Sequence, residues 1–186
     1  MAAPASTLSQ LHGPPRGLSL SGASSLGDAS GDLGRYQFQV VAANIADAVR
    51  SIGGLIFDRA MAGWHVSVVV DGDADDRPLR ILGAHVAKRL SDPNQARVLP
   101  RPHLLAVATD VMVRSDAVRR HVLEISDDNQ SEVLLWGRHH PTNLSRTFVA
   151  VRHRPSAAAH LFKSHALAAG GLQAMQRADE GFYSPS

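Results

Sequence analysis

Residues Asn44 to Asp71 read NIADAVRSIGGLIFDRAMAGWHVSVVVD, and this stretch decides the fold. Ile45, Val49, Ile52, Leu55 or Ile56, and Ala60 recur at the three-and-four spacing that gathers side chains on one face of a helix. Asn44 stands where an N-cap is wanted, and Asp47 follows three residues later, as in a capping box. Gly63 suits the stop, and Arg59 favours the negative end of the helix dipole. Gly53 and Gly54 fall mid-helix, where each costs about 1 kcal/mol relative to Ala. Either the helix breaks there or it lies unusually close to its sheet; the apolar spacing continues in phase through them, which favours close packing. Val66, Val68, Val69 and Val70 are β-branched and nearly continuous, which suits a central strand covered on both faces.

Upstream, Tyr36, Phe38 and Val40 alternate with Gln37 and Gln39, so Tyr36 to Val41 reads as a strand with one buried face. Strand, helix and strand then form a βαβ unit with a right-handed parallel crossover. Downstream, Leu79 to Leu82 reads as a short strand able to return antiparallel, and Ala84 to Leu90 as a short helix. Pro93, Pro100 and Pro102 punctuate the loop that follows. Leu104 to Glu124 keeps helical spacing throughout, at Leu104, Ala108, Val111, Ser115, Val118 and Val122, yet Leu104 to Thr109 equally reads as a strand with a helix beginning near Asp116 as its cap, and strand then helix is the reading adopted. Glu132 to Gly137 and Arg146 to His153 read as a hairpin that sets Trp136 opposite Phe148 and Glu132 opposite Arg152. Pro155 suits a first helical turn, and Ala157 to Ala169 reads as a helix stopped by Gly170 and Gly171. The expected architecture is an α/β single domain over residues 35–170, with a mixed β-sheet flanked by helices. A disordered N-terminal tail, residues 1–34, and a flexible C-terminal tail, residues 171–186, flank it.

Composition narrows the function classes. The chain has 186 residues, 44% of them apolar, enough for one domain with a core. It has no cysteine, which removes disulfide scaffolds, thiolate metal sites and cysteine nucleophiles. No apolar run reaches the roughly 18 residues a membrane helix needs. The N-terminal stretch lacks the apolar centre of a signal peptide, so a cytoplasmic location with no membrane partner is expected. Met1 to Asp76 carries 4 Arg and 8 Asp, whereas Arg77 to Arg154 carries 13 Lys or Arg against 7 Asp or Glu. A basic half attracts anions, nucleic acid among them. Opposed acidic and basic regions also suit a protein partner or self-association.

Two groups of residues suggest chemistry. Val68 to Asp73, VVVDGD, is an apolar strand ending in two carboxylates, Asp71 and Asp73, of the hard-oxygen kind that magnesium prefers. Over these six residues the chain is similar to the strand ends of haloacid-dehalogenase-type phosphatases and nucleotide-sugar transferases. That similarity implies Asp71 as nucleophile and Asp73 as acid/base, with Lys88 and Asp127 or Asp128 as helpers. The plainer reading is a solvated Asp–Gly turn. The second group is basic: Arg138, Arg146, Arg152 and Arg154, with His139, His140 and His153 among them, form a candidate anion or nucleic-acid site on the hairpin. Ten histidines show no metal-binding spacing: His139 and His140 are adjacent, and His160 and His165 are five apart. There is no Gly-rich phosphate loop and no G-x-S-x-G elbow. The sequence therefore predicts a cytoplasmic binding or regulatory protein with no cofactor. The alternatives are a magnesium-dependent phosphoryl or nucleotidyl transferase at Asp71 and Asp73, and nucleic-acid binding through the basic hairpin.

Overall fold

Asn44 opens the first helix as its position predicts. In the computed structural model, which describes residues 6–7, 34–70, 75–87, 101–128, 130–138, 147–173 and 178–186, the Asn44 side-chain oxygen accepts the Asp47 N–H at 2.8 Å. Strand β2 (Gln37–Val41) precedes this cap, helix α1 (Ile45–Met61) follows it, and β3 (His65–Val69) completes the parallel βαβ unit. Ile52 has φ −135° and ψ 15°, so α1 is two helical segments joined at a kink. The helix therefore breaks beside the glycine pair, and the close approach there is to Leu82, Lys163 and Pro155 rather than to the sheet as expected. A Cβ on Gly54 would lie 2.6 Å from Pro155 Cγ, a separation only glycine can satisfy.

The remaining elements, in chain order, are α2 (Arg77–Ile81), β4 (His85–Ala87), β5 (Leu104–Ala108), α3 (Thr109–Arg114) and α4 (Asp116–Asp127). They are followed by β6 (Glu132–Trp136), β7 (Phe148–His153), α5 (Ala157–Ala169) and β8 (Glu180–Pro185). Ser6–Thr7, strand β1, pairs parallel with Val151 and Arg152 of β7. The sheet order is β1-β7-β8-β6-β5-β2-β3-β4. Strands β4, β3, β2, β5 and β6 are mutually parallel, and β8 runs antiparallel to both β6 and β7. From β2 the chain first moves outward to β3 and β4, then returns to build β5 and β6 on the other side. Right-handed crossovers therefore put α1 and α2 on one face and α3 and α4 on the other. Helices α1, α2 and α5 pack against one another. Strand β5 is buried along its whole length, as a central strand covered on both faces should be. Phe38, Ile52, Leu55, Ile56, Leu104, Leu105, Leu134 and Leu135 are the large, fully enclosed side chains of the core.

The α/β architecture with a mixed, helix-flanked sheet is as the sequence predicts. Several local expectations fail for identifiable reasons. Leu79 to Leu82 is not a strand: Pro78 starts a helical turn, and Leu79 and Leu82, both 0% exposed, sit at helical spacing. His85–Ala87 is a strand rather than a helix, parallel to β3 and too short to show a period. The β6–β7 hairpin does not form. Both strands run the same way, and β8 lies between them, so neither Trp136 nor Glu132 meets its expected partner. That strand comes from the stretch expected to be a loose C-terminal tail, where Phe182 is 2% and Glu180 4% exposed. Gln39, expected on an open face, is also buried. The expected N-terminal tail lies outside the described residues, apart from Ser6–Thr7 and Gly34. Among the described residues no helix is long and apolar enough to cross a membrane.

Candidate functional site

In open α/β sheets, ligands collect at the carboxyl edge of the parallel strands, near the point where strand order reverses. Here α1 begins at that edge, β6 ends there with Trp136, and antiparallel β8 begins there with Glu180. A cavity of about 310 Å³ opens between them. From α1 it is lined by Arg50 and Ser51, and from the end of β6 by Trp136 and Gly137. Helix α5 contributes His160, Lys163, Ser164 and Leu167, and the approach to β8 contributes Asp179 and Glu180. The four α5 residues fall at i, i+3, i+4 and i+7, which is one helical face. That face is polar on a helix otherwise made largely of Ala and Leu.

Glu180 holds the cavity together. The kink at Ile52 leaves Gly54 and Leu55 in the first turn of a new helical segment, where backbone donors have no carbonyl one turn back. The Glu180 carboxylate accepts both, Oε1 from the Gly54 N–H at 2.8 Å and Oε2 from the Leu55 N–H at 2.9 Å. The same Oε1 accepts from Lys163 Nζ at 2.6 Å, with the two side chains 2% and 12% exposed. A buried ion pair is tolerated when each charge is further hydrogen-bonded, and the positive end of a helix segment adds to that. Lys163 packs its stem against Gly53, with Cγ 3.3 Å from where a Cβ would stand. Glycine 53 and glycine 54 thus admit a lysine and a carboxylate to the flank of a broken helix.

The opposite wall is tied by Asp47. Its Oδ2 accepts from Trp136 Nε1 at 3.3 Å, and its Oδ1 accepts from the Ser51 hydroxyl at 3.1 Å. Behind it, Gly137 adopts φ +128°, and a Cβ there would come 2.4 Å from Thr109 Oγ1. The Thr109 hydroxyl is buried and has no hydrogen-bond partner among the described residues. The Arg50 guanidinium, the His160 ring and the Asp179 carboxylate likewise have no ion-pair or side-chain hydrogen-bond partner among the described residues.

A second polar cluster is structural. Asp58 accepts from the Ser156 hydroxyl at 2.6 Å and from the Ser156 N–H at 3.1 Å, and meets His153 Nε2 at 3.0 Å. The carboxylate sits between the hydroxyl and the imidazole, so His153 does not reach the Ser156 proton, as a hydrolase triad requires. Ser156 Oγ also caps α5 by accepting the Ala159 N–H at 3.0 Å.

Of the residues singled out in the sequence, Asp71, Asp73, Lys88, His139, His140 and Arg146 lie outside the described residues. Asp75 and Asp76, the described part of the acidic cluster, pair with Arg77 at 3.5 Å and Arg80 at 3.0 Å. The proposed helpers Asp127 and Asp128 end α4 just before β6, which puts them at the amino edge, across the sheet from the end of β3. Asp128 pairs there with Arg101. Arg138, Arg152 and Arg154 are exposed, at the carboxyl ends of β6 and β7, with β8 between those strands rather than on one ribbon. Sequence reasoning missed Arg50, Lys163, Asp179 and Glu180, and set His160 aside for want of a metal spacing. The available signal was Lys163 on an apolar helix, with His160 and Ser164 on the same face.

Comparisons with known proteins bear on the fold. No protein-family model matches the chain, and no curated protein sequence matches it. Solved structures do. A deacetylase of the teicoplanin biosynthetic pathway, a triple mutant, superposes with a TM-score of 0.56 at 15% identity, covering 80% of this chain and 97% of that one. An A40926 pseudoaglycone deacetylase gives 0.55 at 15% identity, over 72% and 81% of the two chains. A zinc-inhibited form of teicoplanin deacetylase gives 0.52 at 14% identity, over 71% and 82%. Among the described residues no three His, Asp or Glu side chains stand together to hold a metal ion. The expectation of a binding or regulatory protein without catalysis is corrected by these neighbours, which are enzymes. The hairpin expected to carry the basic residues is absent, and Asp71 and Asp73 lie outside the described residues. The chain shares the three-layer α/β fold of these deacetylases.

Proposed function

We propose that the chain is a hydrolase of the deacetylase type that cleaves a small N-acylated amine in the cavity between α1, α5 and the start of β8. One observation carries this reading: at the carboxyl edge, one face of α5 sets the His160 ring, which has no partner among the described residues, one turn from the half-buried ammonium of Lys163. A cavity of about 310 Å³ suits a ligand of monosaccharide or amino-acid size. Water attacks the acyl carbon while His160 takes its proton. Of the three N–H donors on Lys163, one is engaged by Glu180, which leaves donors for the oxyanion that develops. The carbon–nitrogen bond then breaks, His160 returns the proton to the leaving amine, and the acid and free amine depart. The described residues do not form a metal-holding group, so no step here runs through a metal.

The test is acetate release by the full chain from N-acetylglucosamine and a set of N-acetylated amino acids, with added zinc and with a chelator. Release above the uncatalysed rate is expected, falling about 10²-fold or more in His160→Gln while the circular dichroism spectrum stays unchanged. A chain that releases no acetate from any member, under either metal condition, overturns the proposal.

A further inference from the structure

We infer that the ligand of this cavity carries an anionic group, a carboxylate or a phosphate, held by Arg50 together with Arg138. The inference deepens the proposed deacylation and rests on it for the nitrogen chemistry, though not for the anion site. Arg50 lines the cavity and is exposed. Asp47 stands three residues earlier on α1 and so on a neighbouring surface position, and Asp179 lines the same cavity without pairing with Arg50. Asp47 is already engaged through both oxygens, by Trp136 Nε1 and the Ser51 hydroxyl. Glu180, the buried acid of the cavity, is occupied in the same way by Lys163 and two backbone N–H groups. The fold thus satisfies two carboxylates near Arg50 from other donors and leaves the guanidinium without a partner among the described residues.

Arg138 is the second observation. It directly follows Gly137, which lines the cavity, at the carboxyl end of β6, and it too is exposed without a described acid partner. Arg50 in the cavity wall and Arg138, one residue beyond the lining Gly137, offer planar donor forks, the geometry that matches the paired oxygens of carboxylate and phosphate. Asp179, a lining acid without a partner among the described residues, meets the amine that deacylation frees. The product class is therefore an amine that also bears an anion.

The experiment measures binding of the stable deacylated products by calorimetry, in parallel with acetate release from their N-acetyl forms. The probes are glucosamine, glucosamine 6-phosphate and muramic acid, which are respectively without an added anion, phosphorylated and carboxylated. At least one anionic probe is expected to bind tenfold or more tighter than glucosamine. In a double variant, Arg50→Gln with Arg138→Gln, it should bind no better than glucosamine. Preference for one anionic probe assigns the source, phosphate or carboxylate. Equal binding of all three, no binding of any, or an anion preference that survives in the double variant overturns the inference. Arginine-dependent anion binding without acetate release would leave the anion site standing and remove the deacylation. Acetate release indifferent to the anion would do the reverse. Both arginines are exposed, so the double variant is expected to melt within a few degrees of the parent.

Discussion

The two edges of the sheet use polar and aromatic residues in opposite ways. At the amino edge, aromatic and basic groups stack on one another, although Arg59 Nε and Glu132 Oε1 are buried without a hydrogen-bond partner among the described residues. Tyr36 lies 4.9 Å from Trp64 and 4.8 Å from His103, ring centroid to centroid, and the Arg59 guanidinium sits 4.9 Å over the Trp64 ring. His103 Nδ1 accepts the Gln37 N–H at 3.0 Å, binding the entry to β5 to β2. At the carboxyl edge, Arg50, His160 and Asp179 have no partners among the described residues around a cavity, while Glu180 is buried and Lys163 half-buried beneath them. One edge is closed by side-chain contacts. The other carries charge left without partners among the described residues, which is how a site differs from a seam.

The largest effect should come from Glu180→Ala. It leaves Lys163 without its counter-charge and uncaps the second segment of α1, so a loss of about 3–5 kcal/mol is expected, read as a lower midpoint in urea. Gly54→Ala should follow at about 1–3 kcal/mol, because the new methyl lands on Pro155 and α1 must shift. Both changes should also lower acetate release. A Gly54→Ala protein with the stability of the parent would mean that the close approach is not as drawn. Trp64→Ala at the amino edge should cost about 1–2 kcal/mol from lost burial and the cation–π contact and leave kcat/KM within twofold. An amino-edge change that removes activity without unfolding the protein would erase the distinction between the edges.

The smallest effect is a pH dependence at the amino edge. Burial raises the pKa of Glu132 above its ordinary value of 4.5, and the positive charge of Arg59 only partly opposes this. Its Oε1 is buried without a described partner. The folded protein therefore holds this proton more tightly than the unfolded chain. The resulting stability is full below pH 4.5 and is lost as the pH rises through the folded-state value. His121 runs the other way: burial lowers its pKa below 6.5, so stability present above pH 6.5 is lost as the pH falls through its folded-state value. Glu132→Gln should flatten the first limb and His121→Gln the second, in urea midpoints taken across pH 4 to 8. Activity per folded molecule should not follow either limb if the two edges are independent.

Strand β2, helix α1 and strand β3 were legible because their signals are local. Asn44, the change of hydrophobic period and Gly63 sit next to the features they specify. The cavity was not legible because its parts come from α1, the end of β6, α5 and β8, brought together by a strand order that no short window encodes. Glu180 to Pro185 contains Gly181 and Pro185, and a six-residue segment with both reads as tail rather than strand. The kink at Ile52 left a trace in Gly53 and Gly54. What that trace admitted, a carboxylate from a residue 126 positions away, had no counterpart in the sequence around it.

Because β8 is threaded between two strands made before it, the sheet cannot close in the order in which it is synthesised. Until Glu180 to Pro185 emerge from the ribosome, the outer rim of β6 stays open and the break in α1 has no acceptor. An open strand rim is a template for pairing with other chains, and so distant a closure is slow to find. Release of the nascent chain before this segment folds in would give a molecule prone to aggregation, so cellular yield should depend on chaperone supply more than the stability of the finished protein suggests.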